Sequence, residues 1–253
     1  MKAYLVLNLN SEKKIARCAH AVQELSKTFE LFACKEQQEI LKDTPLKVGE
    51  VTPDTDVIIS IGGDGTLLKA AQFAYFNDLP LLGINAGHRG ALCSFPYDGD
   101  YSSFSLEDFK ISYRYGLLFG KNDPRFALND VVVLGIARAR SIRLHANFGE
   151  KSIRFQGDGL IVATPTGSSA YSASCGGPLL EKESKALVVT PIAPIDGLLK
   201  PYVLGDQTVT IAPHKETKID CIVCYDGKEY GALQEPVEIA LAPKPLRLLT
   251  KKD

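Results

Sequence analysis

The amino-acid sequence predicts an α/β domain followed by a second, mostly antiparallel β-rich domain with the layering of a sandwich. Three observations carry this reading. Up to about Tyr97, apolar strand-like runs alternate with segments whose apolar residues recur every three or four positions, the pattern of a parallel sheet with helices on its faces. Beyond that point the apolar runs are short, rich in Val and Ile and separated by turn formers, as in antiparallel layers. The stretch Tyr97-Asp98-Gly99-Asp100-Tyr101-Ser102-Ser103 is polar and rich in turn residues, which puts the boundary after residue 98.

Residues 4–9 read as the first strand. Ser11 suits the cap of an amphipathic helix whose apolar residues Ile15, Ala19, Val22, Leu25 and Phe29 fall on one face. A helical segment over 36–41, a strand over 57–61, a helix over 66–76 and a strand over 80–84 continue the alternation. In the second domain, strands are expected over 130–136, 141–147, 151–155, 160–163, 187–190, 207–211 and 219–224. No fixed-period repeat and no low-complexity tract interrupts the chain.

Composition narrows the function classes. With 253 residues, 45% hydrophobic and 23% charged, the chain has the make-up of an ordinary globule, and its formal net charge of −1 gives no reason to expect a nucleic acid or another polyanion as partner. The apolar stretch at the N-terminus is too short for a signal h-region or a membrane span, and no later stretch reaches bilayer length, so a cytoplasmic protein is expected. Six cysteines without a regular spacing point to reduced thiols. Cys221 and Cys224 lie three apart in a β-branched segment, on opposite faces of a strand, and cannot share a metal. The four histidines match no ligand or triad spacing.

Residues 61–70 read IGGDGTLLKA, directly after an apolar run. Glycines at a strand tip permit a sharp turn and bare the backbone N–H groups, which, with the N-terminal dipole of a following helix, favour phosphate oxygens. Thr66 is positioned to cap that helix. The segment is neither a Walker A loop nor a Gly-x-Gly-x-x-Gly fingerprint. Two readings stand here: a plain tight turn with Asp64 solvated, or a phosphate-binding turn in which Asp64 holds Mg²⁺ or accepts a proton from a nucleophilic hydroxyl.

Residues 157–178, GDGLIVATPTGSSAYSASCGGP, run from an apolar strand into Thr164-Pro165-Thr166-Gly167-Ser168-Ser169-Ala170-Tyr171. Four hydroxyls and a phenol within eight residues suit a site that hydrogen-bonds ribose, amide and phosphate groups, and Tyr171 offers a flat face to a ring. Asn129-Asp130 places an amide and a carboxylate before another apolar strand, a pattern that by itself is more often a turn.

Together these three segments resemble the NAD kinase family. Gly62-Gly63-Asp64-Gly65-Thr66 is similar to its GGDGT motif, Asn129-Asp130 falls where the family usually has Asn-Glu, and residues 157–178 resemble its long glycine-rich motif. GGDGT is shared with diacylglycerol and sphingosine kinases, whereas the Thr164–Tyr171 stretch is more specific. The resemblance implies an N-terminal Rossmann-like α/β domain over 1–98 and a β-rich, NAD-binding domain over 99–234. It also implies that the segment from about 235 to 253 returns to the first domain, with the dinucleotide bound between the two. The implied reaction transfers the γ-phosphoryl of ATP, with Mg²⁺, to the 2′-hydroxyl of the adenosine ribose of NAD.

Carried over position by position, the resemblance makes Asp64 the proton acceptor and sets Gly62, Gly63 and Gly65 against phosphates. It assigns Asn129 and Asp130 to adenosine and ribose groups, and Asp158 to the nicotinamide end. Ser169, Ala170, Tyr171, Ser172, Ala173 and Ser174 would lie along the dinucleotide, with Ala193 as a further wall and Lys69 and Arg140 as basic positions. A homo-oligomer, dimer or tetramer, is implied as well. This chain departs from the family at Asp130, one methylene shorter than glutamate, and at Gln156, where a basic residue is common. It departs again at Arg89 and Ala91, which replace apolar residues in the stretch 83–91. The rival readings are a lipid kinase sharing GGDGT and a catalytically silent NAD(P) sensor.

Overall fold

A computed structural model describes residues 1–252 apart from 88–89, 102–103, 138–139, 196–198 and 216–219. Ser102, Ser103, Ile219 and Arg89, which enter the sequence expectations above, lie outside the described residues. The chain forms two compact units, residues 1–113 with 246–253, and residues 114–245. The polar stretch 97–103 precedes this division in the chain, because the strand that follows it still belongs to the first sheet.

In the first unit the elements run β1 (Lys2–Leu7), α1 (Glu12–Leu25), β2 (Glu30–Ala33), α2 (Lys35–Ile40), β3 (Lys47–Val48), β4 (Val57–Gly62), α3 (Asp64–Phe76), β5 (Leu81–Asn85), β6 (Phe95–Pro96) and β7 (Phe109–Arg114). The sheet order is β3-β2-β1-β4-β5, continued by the chain's last strand (Leu246–Lys251) and then β7. The last strand enters parallel to β5, with Leu248 opposite Leu81. Every residue of β4 is buried, as a central strand covered on both faces requires. On one face Cys18, Ala21, Val22 and Leu25 of α1 join Ala3, Leu5, Val57, Ile59 and Ile61 in a single core, and α3 packs on β4 and β1 with its Leu67, Ala70, Ala71 and Ala74 buried.

Of the segment from about 235 to 253, only the last strand, Leu246–Lys251, joins the first sheet, while Val237–Leu241 pairs within the second unit. Both long helices also differ from the sequence expectation at one end. α1 stops at Leu25 because Ser26, Lys27 and Thr28 turn the chain, although Phe29 still reaches the core. α3 begins at Asp64 with Gly63 as its N-cap, so Thr66 is not the cap but sits buried in the first turn.

The second unit contains β8 (Leu117–Phe119), β9 (Arg125–Ala127), β10 (Asp130–Gly135), β11 (Ile142–Phe148), β12 (Lys151–Gly157), β13 (Gly159–Ala163), the single turn α4 (Tyr171–Ser174), β14 (Leu187–Ile192), β15 (Tyr202–Leu204), β16 (Val209–Pro213), β17 (Cys221–Tyr225), β18 (Lys228–Ala232) and β19 (Val237–Leu241). Two six-stranded sheets result, ordered β15-β14-β13-β10-β17-β18 and β12-β11-β16-β19-β8-β9. Their inner faces share one core, to which β11 gives Ile142, Leu144, Ala146 and Phe148 while Arg143, His145 and Asn147 point away. The first of these sheets is covered on its other face too. There Val132, Ile161, Ala163 and Ile192 form a second cluster with Cys175, and α4 packs on β13, so every residue of β13 and β14 is buried, Thr190 included.

All six cysteines are free. Among the described residues no helix is long and apolar enough to cross a membrane. The histidines are less scattered in space than in sequence, since His145 and His214 stack with ring centroids 4.7 Å apart.

Candidate active site

In the first unit the site is built by the passage from β4 into α3. Gly62 ends the strand with its carbonyl accepting the Ala86 N–H at 2.8 Å. A Cβ there would stand 2.2 Å from Thr66 Oγ1, so the first turn of α3 folds back over a position that only glycine fits. At Gly65, by contrast, a Cβ would meet nothing within 4 Å among the described residues. Packing among the described residues does not explain that glycine, whereas close approach of a ligand to the start of a helix does. Lys69, one turn further along the same face, is exposed.

Asp64, at the first position of α3, is half-buried. Its Oδ2 accepts the N–H of Ala91 at 2.9 Å and its Oδ1 that of Leu92 at 3.0 Å. Each oxygen keeps a lone pair for another partner. The segment before those amides is also held: the Gly87 N–H donates to Asn85 Oδ1 at 2.8 Å, and Arg17, stacked on Tyr97, donates to the carbonyls of Ala86 and Gly87. Cys93, just beyond, has its thiol pushed up to about 12 by burial and by the nearby Asp64 charge, which keeps it a thiol.

In the second unit the loop 164–170 is locked onto Asn129. The Asn129 carbonyl accepts the Thr164 N–H at 2.8 Å, Thr164 Oγ1 donates to the Leu128 carbonyl at 2.6 Å, and the Gly167 N–H donates back to Thr164 Oγ1 at 2.9 Å. The loop's hydroxyls therefore divide into two sets. Thr164 and Ser168 are buried and hold backbone, and Ser172 is buried with its Oγ 2.8 Å from Thr190 Oγ1, so this candidate contact is spent inside the protein. Ser169, Tyr171 and Ser174 are exposed, Ala170 and Ala173 half-buried, although Ser169 Oγ also donates to the Thr166 carbonyl at 3.3 Å and Ser174 Oγ to that of Ala170 at 3.4 Å. Thr166 Oγ1 is buried without a hydrogen-bond partner among the described residues.

Asp158, Gln156 and Ala193 form a second group. A Cβ at Gly157 would lie 2.8 Å from the Ala193 carbonyl, so this glycine lets the two segments close, and Ala193 takes a left-handed conformation with φ of 45°. Asp158 is exposed, and Gln156 bridges Ser141 and Arg143 rather than standing free. Arg140 is exposed and shows no ion pair among the described residues. Tyr171 connects the groups electrostatically: its phenol is raised by burial first, then by Cys175, Asp130 and Asp158.

One participant escaped the sequence reading. Asp226, with φ of 46°, and Gly227, with φ of 76°, form the turn between β17 and β18, and the Asp226 carboxylate accepts the N–H groups of Leu128 at 2.8 Å, Asn129 at 2.7 Å and Asp130 at 3.3 Å. Asp-Gly after an alternating apolar strand is a recognisable hairpin signal, but nothing local tells where its side chain goes. Burial and the Asp226 charge raise the Asp130 carboxyl to about 7. Burial also raises Asp226, to about 6, opposed by the three N–H donors and Lys228.

The chain matches the descriptions of the ATP-NAD kinase N-terminal domain over residues 5–105 and the ATP-NAD kinase C-terminal domain over residues 128–247. It is 36% identical over 209 residues to the NAD kinase of Treponema denticola, covering 78% of this chain and 73% of the relative. It is 31% identical over 233 residues to that of Methanopyrus kandleri, covering 85% and 83%. Among solved structures, yeast NADH kinase complexed with NADH superposes with a TM-score of 0.84 over all of this chain and 84% of its own, at 18% identity, a likeness of fold alone. An Archaeoglobus fulgidus NAD kinase in complex with ATP gives 0.73 over all of this chain and 94% of its own, at 25% identity. With both domains matched and relatives of this identity aligned over most of its length, the chain belongs to the ATP-NAD kinase family.

Proposed function

We propose that this protein is an ATP-dependent NAD kinase that phosphorylates the 2′-hydroxyl of the adenosine ribose of NAD. The observation that carries the reading is the pairing of a helix start left open at Gly65 with a carboxylate, Asp64, fixed at the same helix terminus. The helix N–H groups and Lys69 hold phosphate oxygens. The ribose oxygen attacks the γ-phosphorus, its proton passes to Asp64, and ADP leaves with the electron pair of the broken P–O bond.

Mg²⁺ belongs to this reading as the companion of ATP. Among the described residues no three His, Cys, Asp or Glu side chains are grouped to hold a metal. That donor set fits Mg²⁺, which keeps several waters and takes substrate phosphates with few carboxylates. Asp64, with a lone pair left on each oxygen, is the residue that would reach it, and the ion would supply neutralisation of the phosphate charge.

Asn129, Asp130, Ser169, Tyr171 and Ser174 take the dinucleotide, with Asp158 at its nicotinamide end and Ala193 as a further wall. We place the protein in the cytoplasm as a homo-oligomer. A lipid kinase is not favoured, because both domain matches and the relatives are NAD kinases. The deciding experiment incubates the purified protein with Mg²⁺, ATP and NAD and detects NADP with an NADP-specific dehydrogenase. Mg²⁺-dependent NADP formation is expected, with none from NAD lacking the 2′-hydroxyl. Equal ADP release from that analogue would refute 2′-phosphorylation.

A further inference from the structure

Asp226 has no part in the reaction just described, yet its carboxylate is directed at the segment that bears Asn129 and Asp130. We propose that Asp226 is a positioning residue for NAD: from the hairpin turn of β17 and β18 it gathers the consecutive N–H groups of Leu128, Asn129 and Asp130 and so sets the direction in which Asn129 and Asp130 meet the ligand. The inference rests on the assignment of those two residues to the dinucleotide.

Three features support it. The first is the number of donors: one carboxylate takes three successive backbone N–H groups, at 2.8, 2.7 and 3.3 Å, and the Asp226 N–H returns a bond to the Asp130 carbonyl at 3.1 Å. Charge-assisted bonds of this kind are the strong ones, and they fix a peptide segment in one orientation. The second is the backbone. Left-handed φ at Asp226 and at Gly227 is the two-residue turn that matches the twist of a hairpin, and Asp is among the few residues that tolerate it. The turn therefore presents the carboxylate with little freedom to swing.

The third is that Asn129 is held from the opposite side as well. Its carbonyl accepts the Thr164 N–H, and Gly167 is pressed against it. With the N–H of Asn129 on Asp226 and its carbonyl on Thr164, both peptide groups flanking the side chain are fixed, which leaves the amide side chain as the only part of the residue able to turn. Asp130 gains a second effect. Burial first, and then the neighbouring Asp226 charge, raise its carboxyl to about 7, so near neutrality a protonated fraction able to donate a hydrogen bond stands beside the ionised one.

The test compares Asp226→Gly and Asp226→Asn with the intact enzyme. Glycine keeps the left-handed turn and removes the carboxylate, whereas asparagine keeps the turn and one acceptor oxygen. In Asp226→Gly the amides of residues 128–130 should exchange faster and KM for NAD should rise about tenfold or more, as expected when several charge-assisted bonds to a binding segment are lost. KM for ATP should stay unchanged, and Asp226→Asn should fall between the two. An unchanged KM for NAD alongside faster exchange would overturn the proposal, as would equal rises in both KM values, which mark a general structural defect. If Asp226→Gly does not fold, Asp226→Asn decides: unchanged KM for NAD refutes the proposal. Asn129→Ala separates this idea from its foundation. If Asn129→Ala raises KM for NAD and Asp226→Gly does not, the role of Asp226 is wrong. If Asn129→Ala itself has no effect, the dinucleotide assignment falls and the proposal with it.

Discussion

Gly167 passes so close to Asn129 that a Cβ on the glycine would stand 2.0 Å from the Asn129 carbonyl oxygen and 2.6 Å from its Cα. Backbone rests on backbone here, and neither side has a flexible side chain that yields. Gly167→Ala should therefore cost about 1–3 kcal/mol of stability, the range for overpacking a closed site. It should also raise KM for NAD, because Asn129 must shift. Denaturant titration and initial-rate kinetics read both, and wild-type stability in this variant would contradict the contact.

The glycines of the first unit should respond in opposite ways. Gly62→Ala drives a Cβ into the Thr66 side chain and should lower stability, while Gly65→Ala meets no atom of the described residues and lies in a helix, where alanine is favoured by up to about 1 kcal/mol. Gly65→Ala should thus melt no lower than the natural protein and yet show a higher KM for ATP, since the added methyl stands where phosphate is proposed to bind. Thermal melts paired with ATP titrations check it. A Gly65→Ala enzyme with normal KM for ATP would place the phosphates elsewhere.

Asp64→Asn keeps the size and polarity of the side chain but removes the proton acceptor. Turnover should fall at least about 100-fold, the contribution expected of a general base. KM for NAD should change little. Near-normal turnover would mean that another group accepts the proton. The same substitution turns an amide NH₂ toward one of the N–H groups of Ala91 and Leu92, so those amides should exchange faster.

The pair Asp130 and Asp226 makes a statement about pH. Both carboxyls are raised in the folded protein, from 3.8 to about 7 and about 6. Between these limits the folded chain binds more protons than the unfolded one, so the stability this pair contributes is complete below pH 3.8 and is lost as pH rises through 7. Asp130→Asn removes one titration and the charge repulsion it brings. Urea unfolding at several pH values should show a smaller loss of stability across this window in Asp130→Asn than in the natural protein. Parallel curves for the two proteins would show that the pair does not titrate there.

Local pattern by itself determined the two-part organisation and the turn that carries Asp64. Helical spacing in α1 and the unbroken apolar run of β4 express packing demands that act within a few residues, and glycines at a strand tip announce a turn wherever the chain goes afterwards. The motif segments were legible for the same reason. What tertiary structure decided was everything joined across long separations. Edge strands as short as β3 lack room for a period, and the last strand took its place beside β5 through a pairing that no local signal encodes. Ser172 looked like its neighbours in sequence, but folding turned its hydroxyl onto Thr190, while Ser169 and Ser174 stayed at the surface. Asp226 lies 97 residues from Asn129 in the chain and bonds to it only because β10 and β17 pair side by side. Ala91 and Leu92 reach Asp64 because β4 and β5 are neighbours in the first sheet. A residue's type and immediate neighbours fix what its backbone prefers, whereas the partners of its side chain depend on which strands pair, and pairing is set by burial over the whole sheet.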